Sequence, residues 1–248
     1  MENLKSKKLI GYYGFPRPSV LGPVRERFGY NLELVDLDVA LEAPDSRIVQ
    51  NTTCRIIANI IDNAIEYSKR LVAVVADVGE GKCDRGRYAA LILREMGFNV
   101  IESRFPPEEF ENRPLVYSTG RGSLADRIDS IMETVIRPYD SVVSARNCKP
   151  THGFWGVPPS DFRILDIFPD TTHIYGWTRC VEAGRPGDLQ LEYFVDEDVP
   201  TVFFTQSFCA KQDMAHYLAE KHDGLFVDCH RRVNDSILSK VEAFIKLA

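Results

Sequence analysis

The 248-residue chain carries 30 Lys and Arg against 36 Asp and Glu, a formal charge of −6, with 44% hydrophobic and 27% charged residues. Those proportions exclude a disordered or collagen-like chain, and the acidic balance argues against a general nucleic-acid binder, whose affinity comes from neutralising many phosphates. No apolar run approaches the roughly 18 residues that span a bilayer, and the N-terminal stretch lacks the apolar segment of a signal peptide. A cytoplasmic protein with no membrane partner is expected, and its six cysteines then read as thiols or metal ligands before disulfides.

Short apolar runs alternate with helical periodicity along the chain, the mark of interleaved strands and helices. Residues 8–13 read as a first strand, closed by Gly14-Phe15-Pro16; residues 20–28 as a helix; residues 32–39 as a second strand. Pro44-Asp45-Ser46 marks a loop before a helix whose Ile57, Ile60, Ile61, Ala64 and Ile65 share one face. Residues 71–78 are nearly all Val and Ala, as suits a strand covered on both sides. A helix over 85–96 and a strand over 98–101 follow. Residues 115–118 read as a strand, and Thr119-Gly120-Arg121-Gly122-Ser123 opens a helix that runs to Val135, before Pro138. Further strands are expected at 141–145, 163–168, 200–205 and 224–228, with helices at 210–221 and 235–247. Residues 148–159, dense in Pro, Gly and aromatics, read as a lobe boundary or a functional loop.

The pattern predicts an α/β fold of two Rossmann-like lobes, residues 1–145 and 146–248, with mostly parallel sheets and helices on both faces. Ligands of such sheets gather at the carboxyl ends of the strands. Cys54 and Cys83 both stand between a strand end and a helix start, where the helix N-terminus favours a thiolate, and Lys82 and Arg85 push the same way. A small buried hydrophobe is the competing role for either one. Cys148, Cys180, Cys209 and Cys229 also lie near strand ends and could complete a zinc or iron–sulfur site with the first pair. Gly120, Arg121, Gly122 and Ser123 form a glycine loop entering a helix, able to hold a phosphate or carboxylate, or simply a tight turn. His152, in an aromatic loop, is a candidate general acid or ligand. Arg179 and Arg185, with His173, Tyr175 and Trp177, are candidate anion-binding groups. The same aromatic segment would serve a homo- or heterodimer interface.

The opening strand Lys8-Leu9-Ile10-Gly11-Tyr12-Tyr13 with its Pro-containing turn, the helix opened by Cys54-Arg55-Ile56-Ile57, and Cys83-Asp84 with Arg85 and Arg87 behind it resemble the N-terminal lobe of the 2-hydroxyacyl-CoA dehydratase and benzoyl-CoA reductase family. The resemblance covers about the first hundred residues, and Asp223-Gly224-Leu225-Phe226-Val227-Asp228-Cys229 resembles the family's last strand and cysteine. It implies a [4Fe-4S] cluster between the lobes on Cys54, Cys83 and Cys229, and a small acyl substrate activated by one electron from an ATP-dependent donor protein. On that reading His152 and Arg179 are the candidate proton-transfer and anion-binding groups. Cys148, Cys180 and Cys209 compete for the third ligand position. A second, local similarity links Gly79-Glu80-Gly81-Lys82-Cys83-Asp84-Arg85-Gly86 and Gly97-Phe98-Asn99-Val100 to the cobalamin-binding loop of corrinoid enzymes, with Cys83 where that family has its cobalt-ligating histidine. The alternatives to a cluster are therefore cobalamin, or a small anionic ligand bound without any cluster.

Overall fold

The computed structural model describes residues 7–39, 48–50, 52–79, 82–104, 111–137 and 147–248. The chain divides into two compact units, Met1–Glu109 and Phe110–Ala248. It is an α/β fold of two lobes, each built on an all-parallel four-stranded sheet. No helix among the described residues is long and apolar enough to cross a membrane.

The first unit runs β1 (Leu9–Tyr13), α1 (Pro18–Phe28), β2 (Glu33–Asp36), α2 (Arg55–Glu66), β3 (Leu71–Asp77), α3 (Asp84–Glu95) and β4 (Val100–Ser103), with strand order β2-β1-β3-β4. All of β1 and the last five residues of β3 are buried, which is why these runs show no polar alternation. Helix α2 buries Ile57, Ile60, Ile61 and Ala64. Between them Asn59 and Asn63, one turn apart, donate to the carbonyls of Leu37, Asp38 and Val39 at 2.8–2.9 Å. This pair fixes the path of the chain leaving β2.

The second unit contains α4 (Leu124–Glu133), β5 (His152–Gly156), a 3₁₀ helix (Phe162–Ile167), β6 (Thr172–Tyr175), α5 (Trp177–Glu182), α6 (Leu189–Tyr193), β7 (Thr201–Gln206), α7 (Gln212–Lys221), β8 (Leu225–Cys229) and α8 (Asp235–Leu247). Its strand order is β6-β5-β7-β8. Alternate residues face opposite sides: Trp155, Tyr175 and Phe203 pack with Ala215 and Leu218 of α7, whereas Phe154 meets Phe204 at 5.8 Å and Phe168 at 5.6 Å. Trp155 keeps its indole N–H satisfied on the Glu192 carbonyl at 2.7 Å.

Three expectations differ from what is found. The units part at 109/110 and not at 145/146, because residues 111–137 are fastened to the second sheet. The Glu182 carboxylate there accepts the amides of Val116, Tyr117 and Ser118 at 2.5–2.8 Å, and Ile174 N–H donates to Ser118 O at 2.9 Å. That collar also explains why 115–118 is not a strand: its amides serve a carboxylate instead of a ladder. The stretch 163–168 is a 3₁₀ helix capped by Asp161, whose carboxylate accepts the amides of Arg163 and Val233 at 3.2 and 3.0 Å. Conversely, 152–156 and 172–175 are strands. The glycines that made 152–156 look like a loop are demanded by the sheet, since a Cβ on Gly156 (φ +150) would lie 2.2 Å from the Phe204 carbonyl oxygen. The strand expected at 141–145, the loop at 44–46 and Pro138 lie outside the described residues.

Glu182 is 0% exposed, so Glu182→Ala strands three amide donors at once. Urea unfolding is expected to show a loss of about 3 kcal/mol; a loss below about 1 kcal/mol would show that the collar is dispensable.

Candidate functional sites at the sheet edges

In the first unit β1 ends in a left-handed Gly14 (φ +73), where a Cβ would come 2.9 Å from Cβ of Asp77. Two carboxylates from the strands on either side hold this turn. Gly14 N–H donates to Asp38 Oδ2 at 2.9 Å, and Phe15 N–H to Asp77 Oδ2 at 2.9 Å. The same Asp77 oxygen takes Lys82 Nζ at 2.7 Å. Asp38 Oδ1 and Asp77 Oδ1 are buried without a partner. Burial raises the pKa of Asp77 against the pull of Lys82, and burial followed by repulsion from Asp36 raises that of Asp38 well above the carboxylate range. The cluster lies where strand order reverses between β1 and β3, the position at which open α/β sheets form their crevice.

Cys54 and Cys83 each occupy the residue just before a helix, α2 and α3 respectively, on this edge. Cys54 is buried and Cys83 exposed. Cys229 belongs to the second unit, at the end of β8. It is 3% exposed, and desolvation, then Asp228 and Asp161, push its thiol up to about 12. The described residues contain no group of three or more His, Cys, Asp and Glu arranged to hold a metal ion. Of the loop carrying the corrinoid similarity, residues 80–81 lie outside the described residues, and Lys82 is committed to Asp77.

The glycine loop opens α4, with Ser123 Oγ accepting Asp126 N–H as a helix cap at 3.4 Å. Its amides are spent within the chain: Gly120 N–H on Tyr117 O and Gly122 N–H on Asp170 O. Its carbonyls face inward onto Arg127, which donates to Gly122 O, Tyr117 O, Gly120 O and Thr172 O at 2.7–3.0 Å. The loop thus lacks the free donors of an anion cradle at 120 and 122. Arg121 is exposed beside it.

His152 opens β5, at the amino end of the sheet and not in a loop. Its Nε2 donates to Ile245 O of α8 at 3.1 Å, and its Nδ1 lies 3.1 Å from Thr151 Oγ1. Nε2 thus fastens α8 and Nδ1 is engaged by the neighbouring Thr151, both away from the carboxyl edge where chemistry gathers. Burial lowers the pKa of this ring and, chiefly for the same reason, that of His173, whose Nε2 contacts Cys148 O at 2.9 Å.

Arg179, in α5, is 4% exposed. Its guanidinium carbon lies 4.5 Å from the Tyr175 ring centroid and 5.4 Å from that of Phe194, and its Nε is buried with no hydrogen-bond partner. Burial pulls its pKa below the usual value, while Tyr175, Glu182, Cys180 and Asp196 oppose that pull from a distance. Arg185, the neighbouring candidate, is closed off by Asp188 at 2.6 Å. Asp38, Asp77, Arg127 and Gln206 are not among the candidates named from sequence, although a polar residue ending a largely apolar strand marks both Asp77 and Gln206.

The two lowered histidines give a testable pH dependence. An imidazole whose folded pKa sits below 6.5 binds its proton more readily in the unfolded chain. The stability it contributes is complete above about 6.5 and is lost as pH falls toward the folded value. The urea midpoint is therefore expected to drop between about pH 7.5 and 5.5, and His152→Gln should flatten part of that drop. Identical slopes in the two proteins would contradict this.

No family model and no curated protein matches the chain. Among solved structures, the RedJ thioesterase of the prodiginine biosynthetic pathway in Streptomyces coelicolor aligns with 98% of this chain and 90% of its own, at 12% identity and a TM-score of 0.21; a likeness of that size carries no argument about fold or activity.

Proposed function

We propose that the protein binds a small anionic ligand, with Arg179 of the second unit holding the carboxylate or phosphate group. The buried guanidinium of Arg179 supports this reading, and Arg127 shows why. Both arginines are 4% exposed. Arg127 satisfies its donors on four carbonyls, whereas Arg179 has two ring faces and no hydrogen bond or ion pair among the described residues. Each ring contributes on the order of 1–2 kcal/mol. Stacking against the ring faces does nothing for the donors on the guanidinium edge, and an unpaired buried charge is costly. A carboxylate or phosphate accepts from that edge in two parallel bonds. Trp177, two residues away on α5, supplies a fluorescent reporter.

Titration with acetate and with inorganic phosphate, read by Trp fluorescence and calorimetry, tests the proposal. Saturable binding of at least one anion is expected, weakened roughly 10–100-fold in Arg179→Gln, as the loss of a charge-assisted pair implies. Equal binding by the two proteins, or none by the wild type, would sink it.

A second reading, cluster-based electron transfer to an acyl substrate, is favoured by one observation: Cys54 and Cys83 both precede helices on the same sheet edge. Iron and acid-labile sulfide in protein purified without oxygen decide it. That reading expects both in cluster stoichiometry and their loss in Cys54→Ala and in Cys83→Ala; a colourless, iron-free protein after anaerobic reconstitution contradicts it.

A further inference from the structure

Four buried side-chain nitrogen and oxygen atoms without a hydrogen-bond partner among the described residues lie on two consecutive rungs at the carboxyl end of the second sheet. The rungs are Thr205 opposite Asp228 and Gln206 opposite Cys229. Gln206 is the extreme case. It is 1% exposed, and neither its Nε2 nor its Oε1 has a partner. A primary amide stripped of water at both ends costs roughly 2–6 kcal/mol, too much to leave without a compensating group.

Gln206 and Cys229 share one side of the sheet. Along β7, Phe203 faces α7 and Phe204 stacks on Phe154 on the other side, so Gln206 follows Phe204. Along β8, Phe226 packs with the α7 side and Asp228 accepts Gln212 Nε2 of α7 at 3.0 Å, so Cys229 faces the opposite way, with Gln206. Gly156, the last residue of β5, pairs with Phe204. Gln206 therefore extends past the end of β5, where strand order reverses between β5 and β7 and a crevice is expected.

The electrostatics select the ligand. The nearby guanidinium of Arg163 is committed to Asp161 and to Val233 O. Gln206 itself brings no charge to balance an ion, so an ionic group would lose its water against it without compensation. A carboxamide offers one N–H and one carbonyl side by side, the complement of what Gln206 presents.

We propose that the Gln206–Cys229 rung is a second binding site, independent of Arg179, that takes a neutral carboxamide group through paired hydrogen bonds to Gln206 Oε1 and Nε2. Cys229 Sγ lies beside it as a weak donor and acceptor.

Acetamide is the minimal probe. Titrated into the ¹⁵N-labelled chain, it is expected to shift the Gln206 side-chain amide resonances saturably, and to give a melting-temperature response at least a few-fold weaker in Gln206→Met than in the wild type. A strictly linear shift without saturation overturns the proposal, as does an equal thermal response in both proteins. If Gln206→Met does not fold, the wild-type resonances alone decide. A crystal soaked in acetamide that shows only ordered water on both Gln206 atoms also overturns it. Because Arg179 is untouched in this experiment, failure here leaves the anion site standing, and loss of anion binding leaves this site standing.

Discussion

Parallel neighbours cannot be joined by a tight turn, and every strand pairing described in this chain is parallel. Each connection must cross a face of its sheet, so the loops leaving the strands of a sheet all open along its carboxyl edge. There the backbone has outrun its ladder, and side chains must take over its hydrogen bonds. Asp38 and Asp77 do so for the turn at Gly14 and Phe15. Along the outer side of β6, away from that edge, Glu182 does the same for residues 116–118 and Arg127 for four carbonyls, that of Thr172 at the start of β6 among them. Charge buried at these positions is thus first of all structural.

That background makes the exceptions informative. Where a buried polar group serves the backbone, its bonds close: Arg127, Glu182, and the Asn59 and Asn63 pair of α2. Where it does not, the chain leaves it open, at Arg179 and at Gln206. One is a cation against aromatic faces, the other a neutral amide at the last rung of a sheet. Their chemistry differs, and so do the ligands they would recognise. Asp38 and Asp77 fall between the two cases, each with one oxygen spent on the Gly14 turn and one left over.

Much of the architecture was legible from periodicity alone. The unbroken apolar runs gave β1, β3 and β7, and the helical spacing of Ile57, Ile60, Ile61 and Ala64 gave α2. The misses have a common cause. β5 and β6 lie in a Gly-, Trp- and His-rich stretch whose glycines are set by neighbouring strands, a constraint invisible along the chain. The stretch 163–168 looks extended because apolar residues dominate it, but Ile164, Leu165 and Phe168 follow a helical spacing, and the Asp161 cap depends on Val233, 72 residues away. At the sites, sequence singled out Arg179 through the density of aromatics around it. His152 shared that density and turned out to fasten α8, because composition does not reveal which end of a strand a residue occupies.

The most direct test of the account is a crystal structure of the protein grown with inorganic phosphate or acetate. The account predicts density for an anion bridging two donors on the edge of the Arg179 guanidinium, with Tyr175 and Phe194 still against its faces. An Arg179 side chain paired instead with Asp196 or Glu182, and no anion on it at saturating concentration, would contradict it.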